Sequence, residues 1–306
     1  MLSGPSINFH RMTSFNPMMD ALKKLRAERK ASTSPVSTTT SSSTATTSAT
    51  SLARPTTSST VAPTTSTGDL LERVVRIPVK HNLTVQLRIL QDPGGQQYGH
   101  GATVWDSSIL LGQYLSKMEG RELMKASTKV LTLGCGCGLV GLTSSTLGCD
   151  VTLTDLETVL PLTNINIDKN INALRMAIAF SKDKDEHGDV HRSNKPVARA
   201  LDWRTQDDLV DEKYDLILGA DLMYELTLAE PLAATCDRLA ATGADVLIGY
   251  EHRKDSVLVA YVQAFERHGF VMTEIQRNGR WADDLSLYML KRMRGEGAGV
   301  GVVGGP

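Results

Sequence analysis

The feature of this 306-residue chain that most restricts its fold is an alternation of short apolar runs with helical stretches, closed by two strands set too near each other to be parallel. Strands are predicted over residues 129–133, 150–154, 197–201, 214–219 and 244–250, and helices over 139–147, 157–172, 227–241 and 253–268. Strands that alternate with helices form βαβ units, which stack into a parallel sheet covered by helices on both faces. Residues 270–276 and 285–291 also read as strands, but only about eight polar or turn-forming residues separate them. Parallel neighbours need a crossover of roughly a dozen residues or more, so this last pair is antiparallel. Ahead of the alternation, residues 73–79 and 83–90 are expected to form a hairpin. Between hairpin and alternation, Val104, Ile109, Leu111, Tyr114 and Leu115 recur at helical intervals within residues 104–118. The fold class that follows is α/β. It is a doubly wound, mostly parallel, Rossmann-like sheet of seven strands, with an antiparallel C-terminal strand and an N-terminal β-hairpin extension.

Composition sets the boundaries of this unit. Residues 31–68 are dominated by serine and threonine with scattered proline and alanine. Such a stretch cannot bury enough apolar surface to offset its ordering entropy, and it reads as a disordered linker. Before it, residues 1–30 carry Arg11, Lys23, Lys24, Arg26, Arg29 and Lys30 against Asp20 and Glu28. A short solvated helix is expected there over residues 17–30, with a mitochondrial transit peptide as the alternative. Residues 294–306 read as a glycine-rich flexible tail, which leaves residues 69–293 as the folded domain.

Charge and cysteine content exclude several classes. Lysine plus arginine number 33 and aspartate plus glutamate 34, so no global field is available to hold a phosphate backbone, and dedicated nucleic-acid binding is not expected. No apolar run approaches the roughly 18 residues of a membrane span, and the start of the chain lacks a secretory apolar region. The four cysteines, Cys135, Cys137, Cys149 and Cys236, are too sparse for a disulfide scaffold, and Cys-x-Cys is not a zinc spacing. A cytoplasmic monomer with reduced thiols and no metal is the expectation.

The chemistry gathers at strand ends. Val130-Leu131-Thr132-Leu133-Gly134-Cys135-Gly136-Cys137-Gly138-Leu139-Val140-Gly141 is an apolar strand entering a glycine-rich turn and then a helix. Glycines permit positive φ and close approach of a ligand to the backbone. The string also contains Gly-x-Gly-x-x-Gly (Gly136, Gly138, Gly141), so a nicotinamide cofactor has to be weighed. Asp155 ends the next strand, 19 residues after Gly136, where an acid accepts hydrogen bonds from ribose hydroxyls; its alternative role is a helix N-cap. Trp203 follows the third strand of the alternation, facing an adenine or packing in the core. Ala220, Asp221 and Tyr224 follow the fourth, and Asp221 too has a capping role as its alternative. All these groups fall at carboxyl ends of parallel strands, where open α/β sheets bind ligands.

Gly101-Ala102-Thr103-Val104-Trp105-Asp106, the glycine motif, Asp155, Asp202-Trp203 and Asp221-x-x-Tyr224 occur in that order. Together they resemble the methyltransferase-like 21 branch of the seven-β-strand protein-lysine methyltransferases, over roughly residues 70–292. The resemblance implies S-adenosylmethionine as cofactor and a lysine on another protein, such as a translation elongation factor or a chaperone, as acceptor. By the same resemblance Trp105 lies beside the cofactor, Gly134, Cys135 and Gly136 line its methionine moiety, and Asp155 holds the ribose. Trp203 and Ala220 fall near the adenine or the cofactor rim, and Asp221 and Tyr224 at the acceptor end. The chain departs from the family in having Thr132 where a glutamate is usual, and Cys135 and Cys137 where small residues are usual.

An acceptor lysine must be neutral to attack, and its reference pKa of about 10.4 leaves little free base at pH 7. A water-poor channel lowers that value. Asp221 is expected to bind and orient the incoming ammonium, and Tyr224 to line the channel and meet the cation with its ring. Other readings stay open on the same fold: a small-molecule or nucleic-acid methyltransferase, a non-catalytic cofactor-binding interaction protein, and a dehydrogenase.

Overall fold

Alternating burial makes the N-terminal hairpin an amphipathic ribbon. In the computed structural model, which describes residues 70–80, 83–124, 128–181, 195–205, 212–275 and 282–293, strand β1 (Leu71–Lys80) pairs antiparallel with β2 (Leu83–Gln91). Val85, Leu87 and Ile89 of β2 are buried while Thr84, Gln86 and Arg88 face outward, the period-2 pattern of a sheet with one solvated face. The helix expected over 17–30, the linker at 31–68 and the tail at 294–306 lie outside the described residues.

Helices α1 (Asp106–Leu115) and α2 (Met118–Arg121) follow, and then the alternation: β3 (Lys129–Leu133), α3 (Leu139–Thr146), β4 (Asp150–Asp155), α4 (Leu160–Ser181), β5 (Val197–Ala200), β6 (Tyr214–Ala220), α5 (Ala229–Leu239), β7 (Ala240–Glu251), α6 (Asp255–Arg267), β8 (Phe270–Glu274) and β9 (Leu285–Arg292). Seven strands form one sheet in the order β5-β4-β3-β6-β7-β9-β8. β3 to β7 pair in parallel, and β9 runs antiparallel to both β7 and β8. The reversed strand required by the short 277–284 connection is thus the second of the pair, inserted between β7 and β8. Strand order reverses between β3 and β6, so the chain leaves their carboxyl ends in opposite directions and opens a crevice between them.

Two elements depart most in extent from the sequence expectation. α4 starts at Leu160, after a turn over residues 157–159, and runs on to Ser181. Its buried stripe of Leu162, Asn166, Asn170, Leu174 and Ala177 includes two asparagines, which hide the apolar periodicity. Those asparagines are buried because they serve β2 as a neighbouring strand would. Asn166 Oδ1 accepts the Leu90 N–H and Asn170 Oδ1 the Arg88 N–H, both at 2.8 Å, while Asn166 Nδ2 donates to Leu90 O at 2.8 Å and Cys137 O at 2.9 Å. β7 in turn begins at Ala240, immediately after α5, with a register shift against β6 between Tyr214 and Leu216. α3 is buried along its whole length, packed against α1 and α4. No helix among the described residues is long and apolar enough to cross a membrane.

Candidate active site

The glycine turn after β3 is fixed by what surrounds it. Gly134 and Gly136 both have φ of +53°. A Cβ on Gly136 would stand 2.4 Å from the Gly101 carbonyl oxygen, and one on Gly134 would stand 2.6 Å from Leu222 Cδ2 and 3.4 Å from the Trp203 ring. Glycine is therefore required at both positions by conformation and by space. Asp155, at the end of β4, locks the turn from the neighbouring strand. Its Oδ2 accepts the Gly136 N–H and its Oδ1 the Leu156 N–H, each at 2.8 Å. Burial raises the Asp155 carboxyl above its ordinary value, and the two backbone N–H groups oppose that shift. On α4, Thr163 donates its hydroxyl to Gly136 O at 2.7 Å. The Cys135 thiol lies 3.7 Å from that hydroxyl, and burial holds it well above the usual thiol range. Burial likewise pushes Cys137 up to about 12. Neither thiol is thereby activated as a nucleophile.

The end of β6 carries a second constellation. Asp221 is the non-glycine residue with positive φ, +58°, among the described residues, and its N–H donates to Gly249 O of β7 at 2.8 Å. Its side chain is only 4% exposed and is held bidentately by Arg253, with Nη1 to Oδ1 at 3.0 Å and Nη2 to Oδ2 at 2.6 Å. The same guanidinium lies 3.3 Å from Glu251 and sits over the Trp105 ring, 5.3 Å from its centroid. Tyr261 of α6 secures the loop after β6 by donating to Glu225 O at 2.9 Å, with Leu222 O at 3.2 Å. Tyr224 is 55% exposed on that loop. Neither Asp155 nor Asp221 is a helix cap: α4 starts only at Leu160, and the N-cap of α5 is Leu228.

One cavity of about 810 Å³ at the carboxyl edge joins the two constellations. Every residue given a cofactor or acceptor role by the resemblance borders it: Trp105, Gly134, Cys135, Gly136, Asp155, Trp203, Ala220, Asp221 and Tyr224, whereas Gly138 and Gly141 of the Gly-x-Gly-x-x-Gly string do not. Thr132 borders it as well. It is buried, and its hydroxyl has no hydrogen-bond partner among the described residues. Sequence reasoning missed Glu251 and Arg253 and gave Asp202, named beside Trp203, no role of its own; all three border the cavity. Glu251 and Arg253 end β7 and begin its loop, so the strand-end argument applied to β3, β4 and β6 would have found them. Asp202 is engaged by Arg204, with Nη2 to Oδ2 at 2.5 Å.

A family model described as "Lysine methyltransferase" matches residues 82–267. EEF1A lysine methyltransferase 3 of Xenopus tropicalis is 28% identical over 207 residues, covering 68% of this chain and 81% of its own. Protein N-lysine methyltransferase METTL21A of Mus musculus is 31% identical over 168 residues, 55% of this chain and 66% of its own. The METTL21A protein of Xenopus tropicalis is 35% identical over 147 residues, 48% of this chain and 55% of its own. The match thus spans most of the first relative but less than two thirds of the METTL21A proteins.

Proposed function

The chain belongs to the lysine methyltransferase family, enzymes that draw their methyl group from S-adenosylmethionine, and we propose that its carboxyl-edge cavity seats that cofactor beside an entry for a lysine of another protein. The observation that carries this reading is the single cavity bordered both by Asp155 with its glycine turn and by Asp221 with Tyr224. Its volume falls within the range of small-molecule sites.

The residues present fit the cofactor. Each Asp155 oxygen already accepts one N–H and keeps a lone pair for a ribose hydroxyl. The turn from Gly134 to Gly136 presents backbone to the methionine portion, with Cys135 alongside. Trp203, against Gly134, offers a flat wall for the adenine, and Trp105 and Ala220 complete the rim. Thr132 supplies a buried hydroxyl free to meet a polar ligand atom, where the family resemblance implied a carboxylate. When bound, S-adenosylmethionine supplies an electrophilic methyl on a sulfonium, which passes to the acceptor nitrogen by in-line displacement as the sulfonium becomes a neutral thioether.

The protein's part is to hold, orient and dry the reacting groups. Asp221 and Tyr224 orient the acceptor nitrogen at the mouth, with Trp105 forming its apolar side. A substrate protein docked over this exposed mouth excludes water from it, disfavours the ammonium form of lysine, and so promotes the neutral amine that attacks. The name of the first relative makes elongation factor 1A the first protein to test as substrate.

Asp221→Asn tests the assignment, because asparagine tolerates the left-handed backbone at this position but replaces one of the two oxygens that hold Arg253 and orient the acceptor with an amide donor. Transfer of labelled methyl groups to protein is expected to fall at least a hundredfold, while calorimetric affinity for S-adenosylhomocysteine stays within about threefold, as expected when only transition-state positioning is lost. Full transfer by this variant sinks the role given to Asp221.

A further inference from the structure

The Asp221 carboxylate is not a free anion waiting for a cation: a guanidinium already occupies it. We propose that Arg253 is a positioning residue that neutralises Asp221, so that the acceptor end of the cavity orients an incoming amine without trapping it as unreactive ammonium. The inference rests on the acceptor-end reading above and adds a residue to it.

A carboxylate beside an ammonium favours the charged form, which cannot attack the methyl. The effect is largest where the carboxylate is shielded from water, and the Asp221 side chain is 4% exposed. An unopposed Asp221 would bind lysine well and hold it in the wrong protonation state. Arginine suits the correction because it stays charged at every working pH and matches the carboxylate with a two-pronged fork. Two bonds to Arg253 still leave lone pairs on the carboxylate to orient an amine. Arg253 is itself restrained, by the Trp105 face at 5.3 Å and by Glu251 at 3.3 Å, so it is built into the site.

The other ionisable groups bordering the cavity are Glu251, Glu225, Tyr224, Tyr98, His100 and the buried thiols of Cys135 and Cys137, with Asp202 held by Arg204 and Asp155 held by backbone, and Tyr250 also acts on Arg253. His252 lies between Glu251 and Arg253 in sequence, but its Nε2 is 3.0 Å from Ser286 Oγ. Among the described residues, removing the Arg253 charge therefore leaves Asp221 and Glu251 both without a paired cation at this end of the cavity.

The test uses the full chain and the protein that takes label from a cell extract, purified unmethylated and supplied at saturation. The turnover number is measured from pH 6.5 to 9.5 with labelled S-adenosylmethionine. Arg253→Gln is expected to move the ascending limb of kcat upward by about one pH unit. At pH 7.5 that is roughly a tenfold loss of kcat accompanied by a lower KM, and the loss disappears as the pH rises. Arg253→Lys, which keeps the charge without the fork, is expected to retain the original limb. Should Arg253→Gln not fold, Glu251→Gln removes a neighbouring negative charge and is expected to move the limb downward. An equal loss at every pH, a lysine variant that behaves like the glutamine one, or a Glu251→Gln profile that does not move overturns the inference. If the unaltered chain binds S-adenosylhomocysteine but labels no protein at any pH, the acceptor-end reading fails and the inference with it.

Discussion

Asp155 and Asp221 are the same residue type at the same edge of the sheet, and their partners give them different work. Asp155 faces two backbone N–H groups, neutral donors that leave its charge available to a ligand. Asp221 faces a guanidinium that cancels its charge and leaves its geometry. Asp155→Ala removes an acceptor for charge-assisted hydrogen bonds worth about 1.5–3 kcal/mol, so affinity for S-adenosylhomocysteine is expected to fall at least tenfold by calorimetry. Unchanged affinity would count against the ribose role. The pH dependence has a definite sign. Burial raises the Asp155 carboxyl in the empty fold, so the stability it contributes is present at acid pH and is lost as pH rises through its folded value. A ligand that favours the carboxylate works in the opposite direction. The thermal shift given by S-adenosylhomocysteine is therefore expected to grow through that same interval, which lies above the range of an exposed aspartate. At this scale, the residues standing at the ends of β4 and β6 were legible in the sequence, because the strand pattern marks those ends. The Arg253 clamp was not, since its partner Asp221 lies 32 residues away and no local spacing couples them.

Among the elements, α4 does the most to join distant parts. Asn166 ties the hairpin to the glycine turn, donating to both Leu90 O and Cys137 O while accepting the Leu90 N–H. Its loss leaves three backbone groups without this partner, one buried and two partly buried, at about 1 kcal/mol each. Asn166→Ala is therefore expected to lower the chemical-denaturation stability by about 2–4 kcal/mol, and to weaken S-adenosylhomocysteine binding as the turn loosens. A stable variant with native affinity would show that the hairpin is dispensable to the site. These asparagines also explain why α4 was only half readable: the stripe holding Leu162, Leu174 and Ala177 contains them. Periodicity of apolar residues cannot show a helix that is buried through its amides. By contrast β3, whose residues Val130 to Leu133 are all buried, was legible to its last residue, because burial on both faces yields an unbroken apolar run.

At the scale of the whole molecule, the strand order turns these local features into one site. The reversal between β3 and β6 sets their carboxyl ends side by side, and β4 and β7 flank them with Asp155 and Glu251. That the last two strands are antiparallel was legible from the short 277–284 connection alone, since chain length forbids a parallel alternative, whereas the insertion of the reversed β9 between β7 and β8 was not. The family match stops at residue 267, before β8 and β9, so the length of that connection is what identifies this edge of the sheet from sequence. Which protein presents the lysine belongs to a surface that strand patterns do not encode, as fold alone does not fix the acceptor. The most direct measurement is mass spectrometry of the products formed when the full chain and labelled S-adenosylmethionine are incubated with an extract lacking this enzyme. Methyl groups on the Nζ of a lysine in a discrete protein are expected, and they should vanish with Asp221→Asn. Label confined to RNA, to small molecules or to another side chain contradicts the assignment of the acceptor.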